Sequence, residues 1–162
     1  MALKEISLRL ANRPGQIARV ARLLAEQRIN IAAISLDSAG TRSSVRLIPD
    51  RPDRAVTVLE DAGFTVDLHD TIVVQLEDRA GSFLKVLDIL AASKVNVESI
   101  AILVARDGAN SLAAIATDDI ARARRVLQEA GFASSKAEQL VGNADVVSRA
   151  PAIPTESVGM LL

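Results

Sequence analysis

Apolar and polar residues alternate early in the chain, with Ile6, Leu8 and Leu10 set against Ser7 and Arg9, and the same spacing returns in Ile72, Val74 and Leu76. Side chains of a strand point alternately to its two faces, so each run predicts a strand with one buried face. The period then changes. Ile17, Val20, Ala21 and Leu24 fall at i, i+3, i+4 and i+7, as do Phe83, Val86, Leu87 and Leu90, and each set predicts one apolar stripe of a helix. A second strand follows Asn30, and a Gly-containing turn leads to a third strand carrying Val45 and Leu47. A second helical stripe comes from Ala55, Val58, Leu59 and Ala62, repeated by Ala123, Val126, Leu127 and Ala130. Gly63 and Gly131 stand where a helix end favours positive φ, and Phe64, Val66 and Leu68 alternate as a closing strand.

The pattern is a duplication. LANRPGQIARVARLLAEQRINI (10–31) aligns without gaps on LEDRAGSFLKVLDILAASKVNV (76–97), so Gly15 recurs as Gly81 and Asn30 as Asn96, a spacing of 66 (81 − 15 and 96 − 30). Gly63 and Gly131 are 68 apart (131 − 63), which places two inserted residues in the second repeat's hairpin loop, Ala105 to Asn110. The order β-α-β-β-α-β predicts an α+β fold of two ferredoxin-like repeats, each an antiparallel sheet with both helices on one face. We place the first repeat at residues 1–69, the second at 70–141 and an extended tail at 142–162. Hardly any linker separates Leu68 from Ile72, so the repeats are expected side by side in one larger sheet. Their second strands are edges in this topology, and Ile31 to Leu36 is apolar, so the joint is expected there.

Composition narrows the chemistry. Aliphatic residues must build the core, because the chain has three Phe and no Trp or Tyr. Without cysteine, and with His69 as the only histidine, thiolate and His-cluster metal sites drop out, and no cofactor is expected. Charges are interspersed and the formal net charge is −1, which argues against a nucleic-acid groove. The longest apolar run, around Ile100 to Ala105, is too short to cross a membrane. We therefore expect a cytoplasmic protein with no membrane or nucleic-acid partner.

With the repeats and their loop motif in hand, the chain resembles the ACT family of regulatory amino-acid-binding domains over about 140 residues. ANRPGQIARVARLLAEQRINIAAISL is similar to the serine-sensing ACT domain of phosphoglycerate dehydrogenase, and the whole is similar to stand-alone tandem ACT proteins. The resemblance implies an effector held at an interface between two domains by the loop after the first strand and the Asn opening the second. Carried over, these are Asn12, Arg13, Pro14, Gly15 and Asn30, with Ile31 beside Asn30 and Asn96 as its counterpart. It also implies further assembly, and we expect a homodimer that buries the apolar tip Met160-Leu161-Leu162. The second repeat departs from the motif, with Asp78 for the loop Asn and Ala80 for Pro. Asp78 sets a negative charge beside the helix end, so the first repeat is expected to carry the working site.

The loop also makes chemical sense by itself. The first turn of a helix leaves N–H groups unpaired, so the amides of Gly15, Gln16 and Ile17 can receive a carboxylate. Asn12 and Asn30 each offer a donor and an acceptor, and we expect them at the same end of the sheet, reading one zwitterion together. Pro-Gly at a helix start and Asn in a turn also have purely stereochemical uses. Arg13 and Arg79 read as solvated rim residues, as does the Arg122, Arg124 and Arg125 cluster among Asp118, Asp119 and Glu129. His69 reads as a surface residue, and Glu77 with Asp78 lacks any companion nucleophile or base, so no enzyme is expected. The function expected is a sensor of a free amino acid that regulates amino-acid metabolism. The alternative is a dedicated regulatory subunit bound to a metabolic enzyme such as acetohydroxyacid synthase, whose small subunit Asn96-Val97-Glu98-Ser99-Ile100 resembles.

Overall fold

The computed structural model describes residues 3–77, 79–103 and 110–132. Its elements are β1 (Leu3–Ala11), α1 (Gln16–Glu26), β2 (Ile31–Ala39), β3 (Arg42–Pro49), α2 (Pro52–Asp61), β4 (Val66–Glu77), α3 (Ser82–Ala92), β5 (Val97–Leu103), β6 (Asn110–Thr117) and α4 (Ile120–Glu129). The six strands form one antiparallel sheet in the order β2-β3-β1-β4-β6-β5. The hairpin loop 104–109, Asp78, any closing strand of the second repeat and the tail 142–162 lie outside the described residues.

The joint between repeats differs from the expected one. β4 is a single strand of 12 residues that serves both repeats. Its first half pairs with β1, from Leu8↔Val66 to Leu3↔Thr71, and its second half with β6, from Thr71↔Ala116 to Glu77↔Asn110. Residues 69 and 70, where the repeats were divided, lie inside it. With no residues available for a turn, the chain stays extended and the closing strand of one repeat becomes the opening strand of the next. Among the described residues β2 and β5 therefore remain at the two ends of the strand order and form no ladder with each other. Thr71 sits at the crossover, fully buried, its hydroxyl donating to the Leu3 carbonyl at 2.9 Å.

Alternation along the strands sorts the core into three parts. Ile6, Leu8, Leu10, Val45 and Leu47 meet Val20 and Leu24 of α1 and Ala55 and Leu59 of α2. Ile72, Val74, Leu76, Ala113 and Ile115 meet Val86, Leu90, Ala123 and Leu127 of α3 and α4. The third cluster, Ile48, Val73, Leu112 and Ala114, lies on the opposite face, where Ala32 and Ala33 of β2 and Ala101 of β5 also pack. The helix-free face is thus curled toward itself, and β2 and β5 approach each other without pairing. Ser99 Oγ of β5 donates to Glu5 Oε1 of β1 at 2.8 Å, although two strands separate β5 from β1 in the sheet.

Gly63 and Gly131 end α2 and α4 at φ 87° and 80°, as the glycine spacing predicts. The corresponding positions after α1 and α3 hold Arg28 and Lys94, at φ 55° and 56°.

Two stability outcomes follow. Because β4 belongs to both sheet halves, urea unfolding followed by circular dichroism should show one transition for the full chain, and two separated transitions would contradict the shared strand. Ser99→Ala strips the partner from Glu5, which is only 4% exposed, and should cost about 1–3 kcal/mol in the same titration.

Candidate functional site

The loop after β1 is built by a short series of backbone bonds. Asn12 N–H donates to the Thr41 carbonyl and its side-chain amide to the Gly40 carbonyl, both at 2.9 Å, so the loop is fastened to the β2–β3 hairpin. Arg13 N–H turns back to Ala11 O at 2.9 Å. Gly15 then takes φ 85° at the N-cap, a left-handed conformation that a side chain disfavours, and no side chain caps α1. The Gln16 amide reaches Arg13 O at 3.4 Å. The next two amides, of Ile17 and Ala18, have no partner outside the helix among the described residues. The Ile17 side chain packs on the first core, while Arg13 and Pro14 are exposed.

The second repeat copies this geometry. Gly81 has φ 87°, α3 is likewise uncapped by a side chain, and Arg79 N–H turns back to Glu77 O at 2.8 Å. α4 differs, since Asp119 accepts from Arg122 N–H at 2.9 Å. A helix start left without a capping side chain has polar capacity directed at solvent, and both first helices have it.

Asn12 and Asn30 do not meet within a repeat. Asn12 lies beside Arg42, which pairs with Ala11, and Asn30 lies beyond Pro49, which pairs with Ile31. The whole of β3 separates them, eight residues and so about 23 Å. The physical reason is direction: α1 runs antiparallel to β1, so β2 begins where β1 began and not where it ended.

Asn30 instead closes a clasp with Asp50. Its N–H donates to Asp50 Oδ1 at 3.0 Å, and its carbonyl accepts from Asp50 N–H at 3.0 Å. Asn96 and Asp118 repeat the clasp at 2.9 and 3.2 Å. Residues 50 and 118 are offset by 68 (118 − 50), the spacing already seen between Gly63 and Gly131, so the repeat alignment carried a signal for them. Each clasp stands next to a bulge, between Ile31 and Ala33 and between Val97 and Ser99. Bulges re-aim the residues around them, and here one lies at the start of each edge strand.

The match of family models now decides the classification, for the model described as an ACT domain pair covers residues 1–144. The chain belongs to the ACT domain pair family. Protein BT0572 from Bacteroides thetaiotaomicron is similar to it at 26% identity and a TM-score of 0.75, over 82% of this chain and 91% of that one. The regulatory subunit of aspartate kinase from Thermus thermophilus, in a ligand-free form, is similar at 21% identity and a TM-score of 0.60, over 79% and 92%. Its counterpart from Thermus flavus is similar at 20% identity and a TM-score of 0.56, over 81% and 94%. No curated protein matches the chain. Among the described residues of this ACT pair, no helix is long and apolar enough to cross a membrane, and no group of three or more His, Asp or Glu is placed to hold a metal.

The site geometry predicts the effect of Gly15→Ala. A Cβ at Gly15 meets nothing within 4 Å, so only the left-handed backbone opposes it, and the change should cost about 1–2 kcal/mol by urea titration. Asp50→Ala, which removes the side-chain bond of one clasp, should cost about 1 kcal/mol by the same titration.

Proposed function

We propose that this ACT pair is a regulatory sensor of a free amino acid, and that its effector site is completed when a second copy pairs along β2. The carrying observation is the uncapped start of α1 held beside the end of β2 by the Asn12–Gly40 bond. The amides of Ile17 and Ala18 can receive a carboxylate there, and Asn12 keeps its side-chain oxygen as an acceptor for an ammonium group.

The far position of Asn30 supports a two-copy site. β2 is an edge strand whose Ile34 and Leu36 are 49% and 51% exposed, an apolar edge that pairing with another chain would cover. Two β2 strands related by a two-fold axis run antiparallel, so the beginning of one lies beside the end of the other. That arrangement brings Asn30 and Ile31 of the second copy to the Asn12 loop. An effector bound between two copies acts on the protein by favouring the paired state. The homodimer, the identity of the amino acid and any enzyme partner are parts of this proposal.

A thermal-shift screen of the twenty amino acids tests it. At about 100 times its dissociation constant the right amino acid adds roughly 2.7 kcal/mol of stability, on the order of 5–10 °C for a chain of this size. Asn12→Ala and Asn30→Ala should each remove most of the shift. Leu36→Glu should give a monomer by light scattering and lose the shift too, because it splits the site. A dimer whose amino-acid response is indifferent to both Asn changes would overturn the assignment, and a stoichiometric enzyme pulled down from native lysate would favour the dedicated-subunit reading.

A further inference from the structure

The two repeats match on the face that carries helices and diverge on the other. On the helix-free face of the first repeat β1 presents Glu5, Ser7 and Arg9, and the equivalent residues of β4 are Thr71, Val73 and Gln75. Likewise β3 presents Ser44 and Arg46, whose equivalents in β6 are Leu112 and Ala114; the strand registers, Ser7↔Arg46 and Val73↔Ala114, fix these correspondences. The second repeat folds with alkyl and neutral side chains at these positions. Charge in the first is therefore not a requirement of the fold.

These charges line a cleft. It has a volume of about 310 Å³ and lies between the first repeat's helix-free face and the start of β5, where Glu98 and Ser99 form its other wall. That volume is at the lower end of the range for small-molecule sites, about 300–1,000 Å³. Its floor is ordered: Glu5 is held by Ser99, and Ser7 Oγ lies 3.3 Å from His69 Nε2. His69, expected on the surface from the sequence, is half-buried there. Around the rim stand Arg9, Arg46, Asp67 and Glu98, and none of the four makes a side-chain hydrogen bond or ion pair with another described residue.

Arg9 and Arg46 are diagonal neighbours across β1 and β3, since Arg9 pairs with Ser44 and Arg46 with Ser7. Like charges so placed repel unless an anion sits between them, and a carboxylate takes two parallel bonds from a guanidinium. Asp67, opposite Ser7 on the other side of β1, and Glu98 on β5 supply two negative charges facing the two positive ones. With the Glu5 carboxylate on the floor held by Ser99, the lining carries both signs, three carboxylates against two guanidinium groups, and so suits a solute that carries both signs rather than a multiply charged anion. We propose that the cleft is a second small-molecule site, distinct from the Asn12 loop, which takes a small zwitterion with its carboxylate between Arg9 and Arg46 and its ammonium group toward Asp67 and Glu98.

The second repeat itself supplies substitutions that the fold accommodates, Arg9→Gln and Arg46→Ala. The test uses the full chain, uniformly labelled with nitrogen-15, titrated with each of the twenty amino acids and, as probes bearing a single charge, with acetate and methylamine. At least one amino acid should shift the backbone amide signals of Arg9, Arg46, Asp67 and Ser99 saturably, and bind more tightly than acetate or methylamine. Arg9→Gln and Arg46→Ala should each weaken that binding by about tenfold or more. Asn12→Ala should leave the cleft response in place, which separates this site from the loop. The proposal is overturned if no amino acid moves the cleft amides, if acetate binds as tightly as the best amino acid, if the two Arg changes leave affinity intact, or if Asn12→Ala abolishes the cleft response.

Discussion

The missing linker between the repeats determines the rest of the architecture. Because residues 66–77 continue as one strand, side-chain alternation is carried across the joint without a break. Val66 packs in the first core and Ile72, Val74 and Leu76 in the second, all even-numbered, so both pairs of helices must lie on one side. A single inserted residue near Thr71 would reverse that parity and send the second repeat's apolar positions to the other face. The same continuity leaves the other face free of helices among the described residues, and that face meets itself as the sheet curls.

Most of the fold was legible because it depends on local pattern. Period-two runs marked β1 and β4, period-3.6 stripes marked all four helices, and glycines at a fixed offset marked where α2 and α4 stop. The joint was not legible in the same way. A shared strand and a β2–β5 ladder both satisfy the alternation, and an apolar edge shows only that the edge needs cover. Arg28 and Lys94, in the conformation Gly63 and Gly131 adopt, show that left-handed helix ends can be imposed by the chain around them and need not be announced by glycine.

The loop 12–17 turns back on itself through Arg13 and Gln16 and is tied to the β2–β3 hairpin through Asn12. Asn12 and Asn30 of one chain lie apart because of chain direction. A helix that follows a strand carries the chain back, so the loop and the next strand's first residue belong to opposite ends. The clasps at Asn30 and Asn96 use the backbone of each Asn and the side chain and N–H of Asp50 and Asp118, so they call for the Asp and not for an Asn at the strand start. Any role in recognition must then be played by its side chain while its backbone stays engaged.

Duplication gives the molecule an internal control. Where both copies keep the same residue type, as in the helix-side cores and the glycines at 15 and 81, the shared constraint is folding. Where they part, folding has been satisfied in two ways, and the difference needs another cause. On the helix-free face one half is dry, with Val73, Leu112 and Ala114 packed against Ile48, and the other half is polar around Arg9, Arg46 and Asp67. Dry packing holds the curl closed, and that closure sets β5 opposite the charged half. The apolar half of the face is thus what gives the polar half a second wall, and a surface of unpaired charges becomes a cleft with sides.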